Sequence, residues 1–367
     1  MTLVFYISGH GFGHASREIE VINAIFARQP DTRIIVRTSA ARWLFERTLR
    51  GPADVQAAIC DTGAIQQGSL VVDVPATIRT AADFYEPAQI NPRIDEEARL
   101  LESVNATLVI ADMPPLAFTA AARAGVPAVG LGNFTWDWIY AAYDDALPAA
   151  PGLINRLASW YALAREAWRL PLAGGFETFP LVLNFPFIAR HARHSRDEVR
   201  DRLGLPRDTP LVLVSFGGYQ SRELDLPRAA STVHVARIVV TGSPATTAPD
   251  GVLVVNEDEM YADGLRYEDL VGAVDIVLSK PGYGIVSECI ANGARLLYTS
   301  RGRFPEYDIF VEQMPRLLPS EFLSQDDLSA GRWNATIARL LARNAVERPA
   351  TNGAEVIADH VVQGVAR

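Results

Sequence analysis

The chain has 367 residues, of which 49% are hydrophobic and 21% are charged, and its formal net charge is −9. This composition is typical of a globular protein with room for two domains, and the negative charge argues against a nucleic-acid partner. Cys60 and Cys289 lie far apart, so neither a disulfide framework nor a zinc site is predicted. No run reaches the roughly 18 apolar residues of a membrane-spanning helix, and the first residues resemble a strand rather than a signal peptide, so we expect a cytoplasmic protein.

The chain opens with a strand, a glycine-rich turn and a helix. The apolar run 3–7 predicts a strand that is covered on both faces. In the turn that follows, glycine alternates with histidine from Gly9 to His14. A second strand and helix over 33–49 complete an order that is typical of a parallel, doubly wound sheet. A dinucleotide site is not favoured, because no clear acidic residue follows the turn by about 20 residues.

Further strands complete the first half. We expect them at 107–111, 125–132 and 181–183. Residues 52–99 are predicted to be mostly irregular, and residues 153–170 to form a helix. Asp112 ends a strand at the edge where parallel sheets bind ligands. The aromatic segment 133–140 follows the next strand at the same edge.

A similar pattern starts again in the second half. It predicts strands at 211–216, 237–241, 252–255, 274–278 and 296–298, and helices at 267–273, 309–317, 333–344 and 354–365. The fourth of these strands leads into the glycine-rich turn and helix start of Ser279 to Glu288. Glycines let a ligand approach the backbone, and a helix start suits a phosphate. Glu288 lies one turn into the helix, where a carboxylate can accept hydrogen bonds from ribose hydroxyls, so the stretch predicts a nucleotide site.

The two halves suggest two domains that face each other across a cleft. We divide the chain into an N-terminal domain (1–186), a C-terminal domain (187–345) and a last helix (346–367) that packs back across the junction. The segment 190–202 is rich in arginine and histidine, and we predict it to be a linker helix with a solvated basic face.

In their order along the chain, these motifs resemble those of the GT-B glycosyltransferases, which pair two doubly wound, Rossmann-like α/β domains. The nearest branch contains the N-acetylglucosaminyltransferase of peptidoglycan synthesis. The chain has a still greater similarity to the N-terminal, glycosyltransferase-like region of plant L-arabinokinases. Four stretches within residues 1–345 carry the resemblance: 9–17, 133–137, 216–218 and 282–288. The serine-rich phosphate loop of the kinase half is not found, so kinase activity is not expected.

The resemblance implies a nucleotide-sugar donor, with UDP as the expected nucleotide, bound mainly in the second domain. The residues that it implies for the donor nucleotide are Gly217, Gly218, Lys280, Gly282, Tyr283, Gly284, Ser287 and Glu288. For the donor phosphates and sugar they are Gly11, Gly13, Arg17, Arg301 and Glu306. For the acceptor they are Asn133, Trp136 and Asp137. Trp136 and Trp138 are candidates either for stacking on a sugar or for core packing, and Lys280 and Arg301 either for diphosphate contacts or for ordinary surface positions.

Inverting transfer needs a base for the acceptor hydroxyl and stabilisation of the leaving diphosphate. We predict His14 as the base, with His10 as the alternative and Asp112 as the carboxylate that fixes the tautomer. Helix N-termini and glycine N–H groups can offset the diphosphate charge, and no His/Cys cluster has metal-ligand spacing, so neither a cofactor nor a metal is expected. Asp144 and Asp145 are predicted to be a solvated helix end.

Two other functions stay open at this stage. The run from Gly11 to Arg17 also resembles the loop of the UDP-sugar hydrolase of pseudaminic acid biosynthesis, in which water would replace the acceptor. A non-catalytic nucleotide-sugar sensor is the third possibility. The donor sugar, the acceptor, the oligomeric state and the choice between His10 and His14 are not decided by the sequence.

Overall fold

The computed structural model describes residues 1–68, 70–216, 224–242 and 249–365. Its strands are β1 (Thr2–Ile7), β2 (Arg33–Thr38), β3 (Ala53–Ala57), β4 (Gln66–Gln67), β5 (Val71–Val72), β6 (Leu108–Asp112), β7 (Ala128–Phe134), β8 (Glu166–Gly174), β9 (Val182–Asn184), β10 (Leu211–Val214), β11 (Arg237–Gly242), β12 (Val252–Asn256), β13 (Ile276–Ser279), β14 (Arg295–Tyr298) and β15 (Ser320–Phe322). Its α-helices are α1 (Phe12–Arg28), α2 (Arg42–Thr48), α3 (Val74–Phe84), α4 (Pro87–Ser103), α5 (Pro115–Arg123), α6 (Trp136–Ala141), α7 (Leu153–Tyr161), α8 (Arg196–Arg202), α9 (Leu226–Thr232), α10 (Glu257–Ala262), α11 (Tyr267–Ala273), α12 (Tyr283–Asn292), α13 (Glu306–Gln313), α14 (Gln325–Ser329), α15 (Asn334–Ala342) and α16 (Gly353–Val365).

The first sheet has seven parallel strands in the order β3-β2-β1-β6-β7-β8-β9. The chain leaves β1 toward one edge of this sheet and leaves β6 toward the other. Such a switch point opens a crevice at the carboxyl ends of the two strands. Ile7 and Asp112 are paired in register there, so the loop after β1 and the carboxylate of Asp112 meet at the crevice.

The second sheet has six parallel strands in the order β12-β11-β10-β13-β14-β15. Its switch point lies between β10 and β13, and the turn after β13 leads into α12. Gly217 and Gly218, which follow β10, lie outside the described residues. The predicted α/β class with two doubly wound domains is confirmed. Both glycine-rich motifs therefore start at the ligand-binding edge of a parallel sheet.

Each sheet is buried on both faces, which explains the continuous apolar runs of its central strands. The last helix, α16, packs against α1, and its residues Ile357 and Ala358 are fully buried with Ile22 in the first domain's core. Leu70, in the turn between β4 and β5, is buried instead among residues of the second domain, including Phe216 and Leu323. The two domains thus share parts of their cores.

Several local predictions were wrong. Residues 52–99 contain the edge strand β3 and the helices α3 and α4 rather than mostly irregular chain. The helix expected over 153–170 ends at Tyr161, and β8 follows it. The residues of β8 were included in the predicted helix because many of them are apolar. In the structure, both faces of this inner strand contribute to the core. Within the described residues, none of the helices has the length and apolar character needed to cross a bilayer.

The basic segment 190–202 is not one solvated helix. Only α8 (Arg196–Arg202) is helical. Arg200 is almost fully buried, where its guanidinium donates to backbone carbonyls and to Asp275. Arg190 is also enclosed, with 13% of its side chain exposed, because it pairs with two glutamates.

Candidate active site

A histidine, a carboxylate and an arginine meet at the switch point of the first sheet. Gly11 caps α1 with a φ of 80°, which favours glycine, and the reversal places His14 in the first turn of the helix. The Nδ1 atom of His14 lies 2.7 Å from Oδ2 of Asp112. Arg17, one turn later, donates to Oδ1 of Asp112 and, at 2.5 Å, to Oδ1 of Asn133. The sequence-predicted residues His14, Asp112 and Arg17 are therefore one hydrogen-bonded group.

The electrostatics of this group favour an ionised Asp112. Burial alone would raise the pKa of this carboxyl, but Arg17 and His14 together hold it below its usual value. By contrast, burial and the neighbouring Asp112 raise the pKa of Glu18 well above its usual range, although Arg17 opposes the shift. With Asp112 bound to Nδ1–H, the Nε2 atom of His14 is left as the proton acceptor. This is the arrangement that a general base requires.

The backbone directly after Asp112 turns sharply. Met113 has a φ of 63°, a conformation that L-residues other than glycine rarely adopt. Its carbonyl accepts a hydrogen bond from the Tyr161 hydroxyl at 2.9 Å, in a fully buried setting. Tertiary contacts therefore hold the carboxylate at the end of β6 in place, and such local strain is most common at functional sites.

A second histidine–aspartate pair joins His10 of the same loop to Asp61, and this pairing was not predicted. The Nε2 atom of His10 is 3.3 Å from Oδ1 of Asp61, and Asp61 also accepts from the Ser8 hydroxyl and from Nε1 of Trp136. A Cβ on Gly63 would lie 2.2 Å from Cγ of His10, so the missing side chain makes room for the ring. Burial works against the imidazolium, but Asp61 still raises the pKa of His10. No local motif predicted the role of Asp61, because this residue lies 51 residues after His10 in a segment predicted to be irregular.

The aromatic segment after β7 forms the wall behind both histidines. Phe134 meets His14 edge-on at 5.8 Å between centroids, and Trp136 meets His10 at 6.4 Å. Trp136 is only 4% exposed, and the Trp138 ring packs closely over Gly174. Both tryptophans therefore make packing contacts, and their stacking on a sugar stays a prediction.

Two of the predicted acceptor residues are also engaged within the protein. Asn133 is buried, and its side chain joins Arg17 to the carbonyl of Pro171. Asp137 stands at the start of α6, where it accepts from the Trp138 amide, and burial raises its pKa. These two side chains shape the wall of the site, and their contact with an acceptor stays a prediction.

Across the cleft, α12 begins opposite α1. A Cβ on Gly284 would lie 3.6 Å from Cα of Gly13, so the two helix starts nearly touch. Tyr283 packs against Phe134 of the first domain at 6.0 Å and against Phe310 of its own domain at 4.8 Å. A narrow crevice runs between them, and a second one continues it. The lining residues that both share are Gly13, Arg17, Ile188, Gly284 and Ser287.

This junction suits an anion. The starts of α1 and α12 have no acidic residue in their first turns and no side-chain cap, so their backbone N–H groups are not taken up by side-chain caps. Helix starts also carry partial positive charge. Arg17, whose guanidinium is paired with Asp112, also lies in the lining of both crevices. The geometry can therefore bind a phosphate group between the two domains.

The predicted ribose carboxylate is buried and already paired. Glu288 is 5% exposed, and its Oε1 atom accepts from Nε of Arg190 at 2.6 Å and also forms an ion-pair contact with Nη2. Burial raises the pKa of Glu288, and Arg190 opposes the shift. Sequence reasoning missed Arg190 because a run of basic residues is usually a solvated surface.

Arg301 and Glu306 form a second pair on the donor side. Nη1 of Arg301 donates to Oε1 of Glu306 at 3.1 Å, and its guanidinium stacks 3.7 Å from the centre of the Phe304 ring. Glu306 is 4% exposed at the start of α13, and its Oε2 atom has no hydrogen-bond partner within the described residues. A buried acceptor atom without a donor is uncommon in folded proteins, so Glu306 stands out on this side of the cleft. Lys280, which is half-buried, follows β13 directly.

The acidic pair Asp144 and Asp145 belongs to a different feature. Asp145 receives Arg303 of the second domain at 2.7 Å, and Arg47 of α2 similarly pairs with Asp258 of α10 at 2.6 Å. These exposed ion pairs cross between the domains on the outside of the cleft. They stabilise the closed arrangement only modestly, since exposed pairs contribute about 0–1 kcal/mol each.

Comparison with known proteins gives two kinds of relatives. No protein-family model matches the chain. It is 28% identical over 379 residues to the L-arabinokinase of Arabidopsis thaliana, a match that covers 100% of this chain and 34% of that protein. It is 29% identical over 320 residues to the UDP-N-acetylglucosamine--N-acetylmuramyl-(pentapeptide) pyrophosphoryl-undecaprenol N-acetylglucosamine transferase of Clavibacter sepedonicus, covering 81% of this chain and 76% of that protein. The chain thus spans about a third of the length of the L-arabinokinase.

Solved structures agree with the motifs. The glycosyltransferase VinC in complex with dTDP has a TM-score of 0.58 and 15% identity, covering 100% of this chain and 95% of that one. Phytolacca americana UGT2 complexed with UDP-2-fluoro-glucose and pterostilbene has a TM-score of 0.60 and 12% identity, with 100% of both chains covered. The protein has the GT-B fold. The suspected resemblance to the GT-B glycosyltransferases is confirmed.

Within this GT-B fold the predicted site residues fall on two facing walls. The N-terminal wall carries the His14–Asp112–Arg17 group and the unpredicted His10–Asp61 pair. Most of the residues predicted for the donor line or flank the start of α12 on the C-terminal wall. Gly217 and Gly218 lie outside the described residues, so their part of that wall stays a prediction.

Proposed function

We propose that the protein is an inverting glycosyltransferase that moves a sugar from a nucleotide-sugar donor, with UDP as the expected nucleotide, to an acceptor hydroxyl. The hydrogen bond between His14 and Asp112 carries this proposal, because it places an oriented base directly across the crevice from an anion-binding helix start. Neither wall would suffice alone. A base without a phosphate site fits many reactions, and a phosphate site without a base fits simple binding.

In the proposed reaction His14 acts first on the acceptor. Its Nε2 atom accepts the hydroxyl proton while the acceptor oxygen attacks the anomeric carbon from the face opposite the diphosphate. The bond from this carbon to the diphosphate oxygen breaks, and the electron pair leaves with the diphosphate. One bond forms and one breaks on opposite faces, so the configuration at carbon inverts. Asp112 stabilises the imidazolium that forms.

Negative charge develops on the leaving diphosphate as its bond to the sugar breaks, and this charge needs stabilisation. We propose that backbone N–H groups at the start of α12, together with Arg17, supply it rather than a metal ion. The Arg301–Glu306 pair lies on the same wall, and the unpartnered Oε2 atom of Glu306 suits a hydroxyl of the donor sugar. Glu288 would accept hydrogen bonds from the ribose.

The relatives support a nucleotide-sugar donor. The Clavibacter relative is named for transfer from UDP-N-acetylglucosamine, and the two solved structures contain dTDP and a UDP-sugar analogue. Because these relatives are transferases, they do not favour the alternative function as a hydrolase. The cytoplasmic location expected from the sequence stays a prediction.

A thermal-shift screen against UDP, GDP, dTDP and their sugars tests the proposal. A ligand at a hundred times its Kd stabilises the folded state by about 2.7 kcal/mol, which raises Tm by about 5–10 °C for a domain of this size. We expect UDP or its sugars to give the largest rise, and Glu288→Gln to reduce it. Glu312→Gln, on the exposed face of α13, is the matched control and should leave the rise intact. If no nucleotide raises Tm, the proposed function is wrong.

A further inference from the structure

We infer that Arg190 is a positioning residue of the donor site, which orients the Glu288 carboxylate so that its Oε2 atom stays available to the ribose hydroxyls of a nucleotide. The inference rests on the proposed function, since it concerns the carboxylate that would bind the donor. It goes further because it assigns a role to a residue of the interdomain connection, outside the motifs that predicted the site.

The first support is the way in which the two side chains meet. Nε of Arg190 donates to Oε1 of Glu288 at 2.6 Å, and Nη2 contacts the same oxygen. The other oxygen, Oε2, accepts no hydrogen bond from the part of the chain that the structure describes. Glu288 and Arg190 both line the second crevice, where they lie beside Gly284. An arginine that bound both oxygens in the usual bidentate way would compete with a ligand; this one leaves an acceptor site on Oε2.

The second support is that the backbone of Arg190 is fixed to the helix that carries Glu288. Asn292 ends α12, one turn beyond Glu288. Its side-chain Nδ2 donates to the carbonyls of both Arg190 and Glu288 at 3.0 Å, and its Oδ1 accepts from the Ala192 amide at 2.7 Å. Asp269 of α11 accepts from the next two backbone amides of the connection. The backbone of Arg190 is therefore fixed to the donor domain, which holds its side chain in place relative to Glu288.

The third support is the charge around the carboxylate. The titratable and charged groups that surround Glu288 are Arg190, Glu20 on α1, Tyr267 and Glu268 on α11, and Cys289 on α12 itself. Nη1 of Arg190 also lies 3.6 Å from Oε2 of Glu268, which has no hydrogen-bond partner within the described residues. The guanidinium of Arg190 thus pairs with two buried carboxylates. Because the site is buried, water cannot take the place of the guanidinium.

Loss of Arg190 should therefore change the protonation of Glu288. Burial already raises the pKa of Glu288, and without the opposing guanidinium it would rise further. A protonated carboxyl accepts hydrogen bonds poorly, so nucleotide binding would weaken as the pH falls through the raised value. A residue that merely holds the fold together would not produce this pH dependence.

The test is the Kd of UDP, measured by calorimetry on the full chain between pH 6 and pH 8.5. Wild type should show a nearly flat profile. Arg190→Gln should bind about tenfold more weakly at pH 8.5 and lose up to about another tenfold per pH unit below the new pKa. Arg190→Lys keeps the positive charge but loses the planar guanidinium. We therefore expect weaker UDP binding, with a Kd that does not change with pH. Arg193→Gln, an exposed position in the same connection, is the matched control and should behave as wild type.

The outcomes separate the two proposals. If wild type binds UDP and Arg190→Gln binds equally well at every pH, the inference about Arg190 is overturned while the proposed function stands. If Arg190→Gln and the control Arg193→Gln weaken binding by the same factor at every pH, the loss is not specific to the contact with Glu288 and the positioning role is likewise overturned. If Arg190→Gln does not fold, Arg190→Lys decides, and a wild-type affinity there overturns the inference. Failure of wild type to bind any nucleoside diphosphate refutes the proposed function and this inference together.

Discussion

Replacement of Asp112 by asparagine is the sharpest test of the proposed base. The amide keeps the size of the carboxylate but can no longer both accept Nδ1–H of His14 and carry the charge that Arg17 neutralises. His14 would then lose its tautomer preference and the stabilisation of its imidazolium. General-base catalysis contributes about 10²–10⁴ in rate, so we expect kcat to fall by about this factor, equivalent to about 3–5 kcal/mol of activation free energy.

The same change should also affect stability, and the two effects must be separated. Arg17 is 9% exposed, and breaking a buried ion pair costs about 3–5 kcal/mol of unfolding free energy. Asn133 and Glu18 still contact the guanidinium, so we expect a loss near the lower end of this range. Unfolding is followed by circular dichroism, and kcat is measured by nucleoside diphosphate release at a temperature where the variant is folded.

Asp61→Asn is the matched control, because Asp61 is an equally buried carboxylate that holds the other histidine of the same loop. We expect it to change kcat much less than Asp112→Asn does. The reasoning is refuted if folded Asp112→Asn keeps kcat within about threefold of wild type. If Asp61→Asn shows the large loss instead, His10 is the base.

Two further predictions concern stability. Asp61 raises the pKa of His10, so this pair contributes stability that is complete below the unfolded histidine pKa of about 6.5 and is lost as the pH rises through the folded value. The Tm difference between wild type and Asp61→Asn should therefore be larger at pH 6 than at pH 9, and a difference that grows with pH contradicts the assignment. Leu70→Ala removes a side chain that is buried between the domains and should cost about 2–5 kcal/mol of unfolding free energy in denaturant titration. Val71→Ala, at a neighbouring exposed position, should cost little, and equal losses in both variants would show that Leu70 is not part of the shared core.

The sequence predicted the central architecture because the relevant signals are local. Buried parallel strands appear as continuous apolar runs, and each glycine-rich turn directly follows such a run. The pairing of His14 with Asp112 could be anticipated for the same reason. Both residues follow central strands, and the carboxyl ends of neighbouring parallel strands meet at one edge of a sheet.

What the sequence did not predict depends on distant contacts. Asp61 serves His10 only because the chain after β3 returns to the switch point, and no local pattern records that return. Arg190 stands among basic residues with the composition of a surface, yet two glutamates enclose it. The strand β8 was predicted as part of a helix, although its buried and half-buried residues alternate from Trp168 to Gly174.

The packing of α16 on α1 also constrains how the protein is made. The first domain's core contains Ile357 and Ala358, which are translated only after the whole second domain. When its sheet leaves the ribosome, the part of α1 that packs against α16 therefore has no cover. The second domain is in effect an insertion into the first, so folding cannot be completed from the N-terminus toward the C-terminus. That surface of α1 is covered only when synthesis reaches the last helix.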